Sequence, residues 1–168
     1  QEIGCDPDFN AWLDNVNTPP EIGSLNGLRS CGGHIHISYD NPNKTTSKEI
    51  IKALDLFLTL PSIIKDTDTR RREIYGKAGA HRLKSYGVEL RTLSNFWIKD
   101  RESVKFIFNG IAKAINFVNE GKRLSIHDST FLVQTINNQN VVAAEELINK
   151  FKVLEHETTT AFVPVLAY

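Results

Sequence analysis

The eight residues Cys31–Ser38, with the sequence CGGHIHIS, constrain the fold more than any other stretch of the chain. Alternation of polar and apolar residues is typical of a strand, in which side chains two residues apart point to the same face. His34 and His36 are therefore expected side by side, with Ile35 and Ile37 directed into a core. Neutral imidazole is a common metal ligand, so the histidine pair is a candidate metal site. The alternative is a pair of polar residues on a half-solvated strand.

Charge and cysteine content exclude several classes of protein. The 168 residues include 20 Lys and Arg and 20 Asp and Glu, so there is no basic excess to attract nucleic acid or a membrane surface. Two cysteines do not make a disulfide framework, and no signal peptide or apolar run of about 20 residues is present. These features predict a protein of the cytoplasm with neither a nucleic-acid nor a membrane partner. The chain has no Met, even at position 1, which predicts a fragment or a processed product with part of its site upstream.

Two acidic residues near the start of the chain have the spacing of cation ligands. Asp6 and Asp8 are two residues apart, so on a strand edge both would present oxygens to a hard cation. An Asx turn around Pro7 is the alternative. Residues 13–30 are rich in Asn, Pro, Gly and Ser, which predicts a loop long enough to cover a site.

Arginines flank a glycine-rich segment in residues 65–82. Arg72 and Arg82 lie on either side of Gly76–Gly79, and guanidinium groups beside a flexible loop suit phosphate or carboxylate recognition. The spacing is not that of a Walker loop. For Arg70 and Arg71, which complete a run of three arginines, a solvated face is the expected environment.

A second strand is predicted at Val88–Leu93, where polar and apolar residues again alternate. Glu89 and Arg91 share one face of this strand, opposite Val88 and Leu90. Side by side on a half-buried strand, they form either part of a functional site or a structural ion pair.

Helical periodicity accounts for most of the remaining chain. A helix near 47–60 is expected to begin with a capping box of Thr46 and Glu49, or with Ser47 as the cap. Pro61 is expected either to interrupt this helix or to start the next turn. Further helices are predicted at 101–120, from His127 to about Asn138 and at Val141–Phe151, and the final residues form a tail or a last strand. We therefore expect one domain over 1–168, sheet-rich in 1–97 and mainly a helical scaffold in 98–168.

Four motifs occur in a fixed order: GCDPDFNAW at 4–12, G-G-H-x-H-x-S at 32–38, R-x-x-Y-G-x-A-G-x-x-R at 72–82 and Y-G-x-E-x-R-x-L-S-N-F-W at 86–97. This ordered set resembles the carboxylate–amine ligases (amidoligases) of the glutamine synthetase superfamily, in particular the C-terminal portion of the phage-type branch. The resemblance implies an α+β fold in which a glutamine-synthetase-like antiparallel sheet forms a concave site backed by helices. It also implies an ATP-dependent reaction with Mg²⁺ or Mn²⁺, in which a carboxylate becomes an acyl phosphate and an amine then attacks.

The resemblance assigns a role to each matching residue. His34, Glu89 and either Asp6 or Asp8 would hold metal, His36 and Ser38 would line the nucleotide pocket, and Arg82, Arg91 and Arg72 would bind the phosphoryl group or the substrate carboxylate. The partners it implies are an amine and a carboxylate substrate, an upstream fragment of the same protein and a second copy of the chain, in the cytoplasm of an infected bacterium.

Two other functions fit parts of the sequence. A non-catalytic phage structural or assembly protein that keeps the ligase scaffold would agree with a processed chain, and it would be found in the virion. A metal-dependent hydrolase would use His34, His36 and a carboxylate, but it leaves the arginines without a role.

Overall fold

The computed structural model describes residues 8–17, 32–67, 69, 72 and 75–154. Several predicted features therefore lie outside the described residues: Asp6, Arg70, Arg71, most of the expected covering loop and the C-terminal tail or strand.

A four-stranded antiparallel sheet carries the predicted strands. Its strands are β1 (Phe9–Asn10), β2 (Ile35–Ser38), β3 (Ala80–Lys84) and β4 (Gly87–Leu90), in the spatial order β1-β3-β4-β2. Each neighbouring pair is antiparallel. The β3–β4 hairpin forms the centre, and the histidine strand is added at one edge. The predicted antiparallel α+β architecture is confirmed.

Two groups of helices complete the described fold. The first runs from α1 (Lys44–Leu54) through a π-helical turn (Asp55–Thr59) into α2 (Leu60–Lys65). The second follows a short 3₁₀ turn (Phe96–Lys99) and contains α3 (Arg101–Asn119), α4 (Ile126–Asn137) and α5 (Val141–Lys150). The three later helices agree with the predicted bounds to within two residues. Among the described helices, none combines the length and the apolar character needed to cross a bilayer.

The start of α1 differs from the prediction. The Asn43 side chain accepts a hydrogen bond from the Thr46 backbone N–H at 2.9 Å, so Asn43 is the N-cap and the helix begins at Lys44. The capping box of Thr46 and Glu49 was therefore wrong, because a better-placed side-chain acceptor lies three residues earlier.

Of the two alternatives for Pro61, the structure shows the second: the proline starts a new turn and does not interrupt the helical segment. It lies in the first turn of α2, directly after the π-helical turn, in which the Leu60 N–H bonds to the Asp55 carbonyl. A π-helical turn rearranges the backbone hydrogen bonds, and a proline needs none for its nitrogen. The chain therefore stays helical from Lys44 to Lys65.

The core lies between the sheet and the helices. Ile35, Val88 and Leu90 are buried on the face of the sheet against which α1 packs, as the alternating pattern predicted. The helical side of the core is formed by fully buried apolar residues, namely Ile51, Leu54, Leu56, Leu58, Leu60, Ile107, Leu132, Ile136 and Leu147. One face of the sheet is thus closed by helices, and His36, Arg82 and Glu89 lie on the other.

Candidate active site

Strand register brings three of the predicted site residues into one row. Glu89 on β4 lies directly opposite His36 on β2 and directly opposite Arg82 on β3. Directly paired residues of neighbouring antiparallel strands have their side chains on the same face. One face of the sheet therefore carries an imidazole, a carboxylate and a guanidinium side by side, from residues that are far apart in the sequence.

The Glu89 carboxylate is surrounded by nitrogen-bearing side chains. Its Oε1 lies 2.5 Å from Arg91 Nη1 and 3.0 Å from His34 Nδ1, and its Oε2 lies 2.7 Å from Lys84 Nζ. Glu89 is only 3% exposed. Burial by itself would raise the pKa of Glu89, but the hydrogen bonds from Lys84 and Arg91 outweigh it and lower the pKa to about 2. Glu89 is therefore ionised throughout the neutral pH range.

Arg91 connects this carboxylate to a second one. Its Nε lies 2.6 Å from Asp8 Oδ1, and Arg82 Nε lies 3.3 Å from the same oxygen. We call the residues Asp8, His34, Arg82, Lys84, Glu89 and Arg91 the Glu89 cluster. Three cations face two carboxylates in it, so the cluster is positive even when His34 is neutral. Such an arrangement favours an anionic ligand.

His36 and Ser38 lie beside the cluster and are exposed. His36 Nδ1 is 2.6 Å from the Tyr86 hydroxyl, and the two rings stack with centroids 6.1 Å apart. Ser38 lies opposite Gly87, at the end of the strand pair. Both side chains are therefore open to a ligand that approaches the sheet face.

Arg72 lies apart from the Glu89 cluster. It is buried against α2, where its Nη2 donates a hydrogen bond to the Ser62 hydroxyl at 2.7 Å. Burial lowers the pKa of this guanidinium, and the nearby charges of Asp66 and Asp55 oppose the shift. The structure thus gives Arg72 a partner in the helical layer, and a role in phosphate binding stays a prediction.

Backbone groups at the end of the glycine-rich turn before β3 are hydrogen-bonded to other parts of the protein, and phosphate binding by this turn stays a prediction. The Gly79 N–H donates to Asp55 Oδ2 at 2.7 Å, and the Ala78 N–H donates to Asn137 Oδ1 at 2.8 Å. The Gly79 carbonyl accepts from the Ala11 N–H at 3.0 Å. Gly79 also has a φ of +78°, and a Cβ there would lie 2.7 Å from Trp12. These backbone amides are engaged within the protein, so the turn serves to place β3.

Sequence reasoning missed Lys84, Tyr86 and Asp55. Lys84 follows Arg82 by two residues on the same strand, so strand periodicity could have placed it on the site face. Asp55 was detectable as a single acidic residue within an otherwise apolar helical segment. Nothing in the sequence indicated that Tyr86 would reach His36.

The described residues do not form a complete metal centre. His34 and Glu89 are adjacent, as predicted, but they supply only two donor side chains, and both Glu89 oxygens face cations. Asp8 is paired with arginines, and Asp6 lies outside the described residues. Across 8–17, 32–67 and 75–154 there is no group of three or more His, Cys, Asp or Glu side chains that could hold a metal ion.

A cavity of about 870 Å³ lies elsewhere, between the Trp12 loop and helices α1, α3 and α4. No member of the Glu89 cluster lines it, and its walls combine apolar side chains such as Leu56, Phe117 and Val133 with four charged ones, namely Glu49, Lys52, Lys122 and Arg123. The cavity is therefore separate from the Glu89 cluster.

Comparison with known protein families agrees with the site. The family described as phage phiEco32-like COOH.NH2 ligase-type 2 matches residues 24–131, which is more than half of the chain. The chain belongs to this family of phage-type carboxylate–amine ligases. The matched region contains every member of the Glu89 cluster except Asp8, together with His36 and Ser38. Searches among curated proteins and among solved structures found no match.

Proposed function

We propose that the protein is an ATP-dependent carboxylate–amine ligase, or the C-terminal part of one, that forms an amide or isopeptide bond through an acyl phosphate. A substrate carboxylate oxygen attacks the γ-phosphorus of ATP, and the bond from that phosphorus to the ADP oxygen breaks. The nitrogen of an amine then attacks the acyl carbon. Inorganic phosphate leaves with the bridging oxygen, and the nitrogen loses a proton to give the amide.

The observation that carries the proposal is the convergence of Arg82, Lys84 and Arg91 on one open sheet face within the region matched by the ligase family. The transferred phosphoryl group and the substrate carboxylate are both anionic. Phosphoryl transfer needs positioning and neutralisation of charge more than it needs a protein nucleophile. Arg82 and Arg91 are therefore assigned to the phosphoryl group and the carboxylate.

The two acidic residues of the cluster fix these cations in place. A guanidinium held by a carboxylate keeps one orientation and loses little freedom when a ligand binds. Asp8 fixes Arg82 and Arg91, and Glu89 fixes Arg91 and Lys84. We assign His36 and Ser38, exposed on the neighbouring strand, to the nucleotide. ATP is bound in such enzymes with Mg²⁺ or Mn²⁺, but no step is assigned to a metal here, since the described donors are too few.

The first test is calorimetric titration of the chain with ATP in the presence of Mg²⁺, using wild type, Arg82→Gln and Lys105→Gln. Lys105 is the matched control, because it is a cation in an exposed ion pair with Glu102 on α3. We expect saturable binding that weakens at least about tenfold in Arg82→Gln, since one charge-assisted contact is lost, and that is unchanged in Lys105→Gln. Absence of binding would refute the nucleotide site and favour a non-catalytic phage structural or assembly protein.

The second test looks for the acyl phosphate itself. Hydroxylamine is a small nucleophile that converts an acyl phosphate to a stable hydroxamate, so it replaces the unidentified amine. The protein is incubated with ATP, Mg²⁺, hydroxylamine and a panel of amino acids and peptides, and hydroxamate and ADP are measured. Equal amounts of both, with a rate about 10³-fold lower in Arg82→Gln, are expected. ADP release without hydroxamate from any carboxylate would indicate an ATPase.

A further inference from the structure

A buried carboxylate outside the Glu89 cluster joins the elements that carry it. Asp55 lies in the π-helical turn between α1 and α2 and is fully buried between Leu54 and Leu56. Its Oδ2 accepts two hydrogen bonds, each 2.7 Å long, from the Trp12 indole N–H and from the Gly79 backbone N–H. Burying a carboxylate in an apolar layer is costly, so these two charge-assisted bonds are a strong interaction. π-Helical turns occur frequently at functional sites.

The two donors belong to the two segments that bring Asp8 and Arg82 together. Trp12 lies two residues beyond β1, which Asp8 directly precedes. Gly79 directly precedes β3, which contains Arg82. Strands β1 and β3 share only two residue pairs, so few backbone bonds hold them together. The Asp55 carboxylate accepts a hydrogen bond from each segment, so it fixes their relative position more firmly than the short strand pair does alone.

We propose that Asp55 is a positioning residue for the anion site: its carboxylate clamps the Trp12 loop and the Gly79 turn to the helical layer and so sets the distance between Asp8 and Arg82. The inference about catalysis rests on the proposed function, since it takes Arg82 to bind the substrate. The hydrogen bonds of Asp55 to Trp12 and Gly79 do not depend on that assignment, and the Trp12 resonance reports on them separately.

The clamp is expected to depend on pH. Burial raises the pKa of Asp55 to about 6, against hydrogen bonds from Trp12, Thr59 and Gly79 and the charge of Arg72, which all lower it. Protonation leaves a weaker acceptor, so the clamp loosens as the pH falls through about 6. Two other titratable groups lie next to it. Lys52 sits over the Trp12 ring, 5.5 Å from its centroid. His81 Nδ1 is 2.9 Å from the Gly79 carbonyl oxygen, and burial lowers the pKa of His81.

The test combines a local spectroscopic signal with anion binding. The indole N–H resonance of Trp12 is followed by NMR between pH 4.5 and 8, and the variant Trp97→Phe assigns it, since the chain has two tryptophans. Inorganic sulfate is the anion probe, because it does not titrate in this range. Asp55→Asn keeps the size and an acceptor oxygen, and Asp128→Asn, an acidic residue that is paired with Lys150 on another helix, is the matched control.

We expect the Trp12 resonance to titrate with a midpoint near 6 in wild type and in Asp128→Asn, and not in Asp55→Asn. Sulfate affinity at pH 8 is expected to fall about tenfold in Asp55→Asn, since a misplaced cation loses its ligand contact, and in wild type it falls as the pH drops below 6. A Trp12 resonance that ignores pH, or an Asp55→Asn affinity within twofold of wild type, would overturn the proposal. If Asp55→Asn does not fold, the pH titration of the Trp12 resonance in wild type decides.

The failure of this inference is distinguishable from failure of the proposed function. Absence of ATP binding together with a normal Trp12 titration and sulfate response would leave the clamp intact and reject only the ligase assignment. ATP binding that is unaffected in Asp55→Asn would leave the ligase assignment intact and reject the role of Asp55 in positioning the anion site.

Discussion

The substitution Glu89→Gln tests the electrostatic design of the site. At neutral pH the Glu89 carboxylate neutralises Lys84 and Arg91, of which the arginine side chain is 11% exposed. The variant keeps the size of the side chain but removes the carboxylate that Lys84 and Arg91 share, so that Arg91 keeps only its ion pair with Asp8 among the carboxylates of the cluster. Removal of one partner from a buried ion pair typically costs about 3–5 kcal/mol. The pKa of Glu89 gives a second value for the stability that the carboxylate contributes. Its lowering from the usual 4.5 to about 2 corresponds to about 3 kcal/mol, at about 1.4 kcal/mol per pKa unit.

The pH dependence follows from the same shift. Because the pKa of Glu89 is depressed in the folded protein, its contribution is fully present above about pH 4.5 and is lost as the pH falls towards 2. We therefore expect the free energy of unfolding of Glu89→Gln to lie about 3 kcal/mol below that of wild type at pH 7. The difference shrinks progressively below pH 4.5. For a chain of this length, the midpoint temperature at pH 7 falls by roughly 6–12 °C.

The assay is denaturant unfolding followed by circular dichroism at pH 7, 4 and 3. Glu120→Gln is the control, because Glu120 forms an exposed ion pair with Lys122, with side chains 55% and 60% exposed. A substitution of that kind is expected to change stability by less than about 0.5 kcal/mol. A loss below 1 kcal/mol at pH 7 in Glu89→Gln, or a loss that stays constant into acid, would refute the reasoning.

Two further predictions concern the helices. Gly110→Ala should destabilise the protein by about 1–3 kcal/mol in denaturant unfolding, because a Cβ at Gly110 would lie 2.1 Å from the Leu58 side chain where α3 crosses the π-helical turn; unchanged stability would show that the two elements are less closely packed. Asn43→Ala should cost about 1 kcal/mol through loss of the α1 cap, and Thr46→Ala less than half of that. The reverse order would restore the capping box that the sequence suggested.

Much of the site could be predicted because it depends on strand periodicity. His34 and His36, and likewise Glu89 and Arg91, were placed on common faces from their spacing of two residues, and the structure agrees. Asp8 was expected to present oxygens to a cation, and its Oδ1 faces Arg82 and Arg91. Spacing within one strand does not indicate which residues of another strand will lie opposite. The pairing of Asp8 with Arg82 and Arg91 could therefore not be predicted from local sequence.

The capping of α1 was mispredicted, and the course of the chain at Pro61 was left open between two alternatives, for a related reason. Both depend on which of several local hydrogen bonds forms, and tertiary packing decides between them. Asn43 was available as a cap, but its neighbours in the turn cluster were equally plausible by composition. Proline stops a helix only where the preceding turn cannot rearrange, and here a π-helical turn precedes it.

The sequence by itself determined the antiparallel α+β class, the positions of the later helices, the polar face of the histidine strand and the ligase family. Each of these follows from short-range periodicity or from an ordered set of motifs. Only the tertiary structure decided that Arg91 joins Asp8 to Glu89, that Arg72 is buried against Ser62 and that Asp55 holds Trp12 and Gly79. These contacts join segments separated by many residues, such as His34 and Arg91, which are 57 positions apart. They depend on strand register and helix packing, which are properties of the whole fold and leave no local signature.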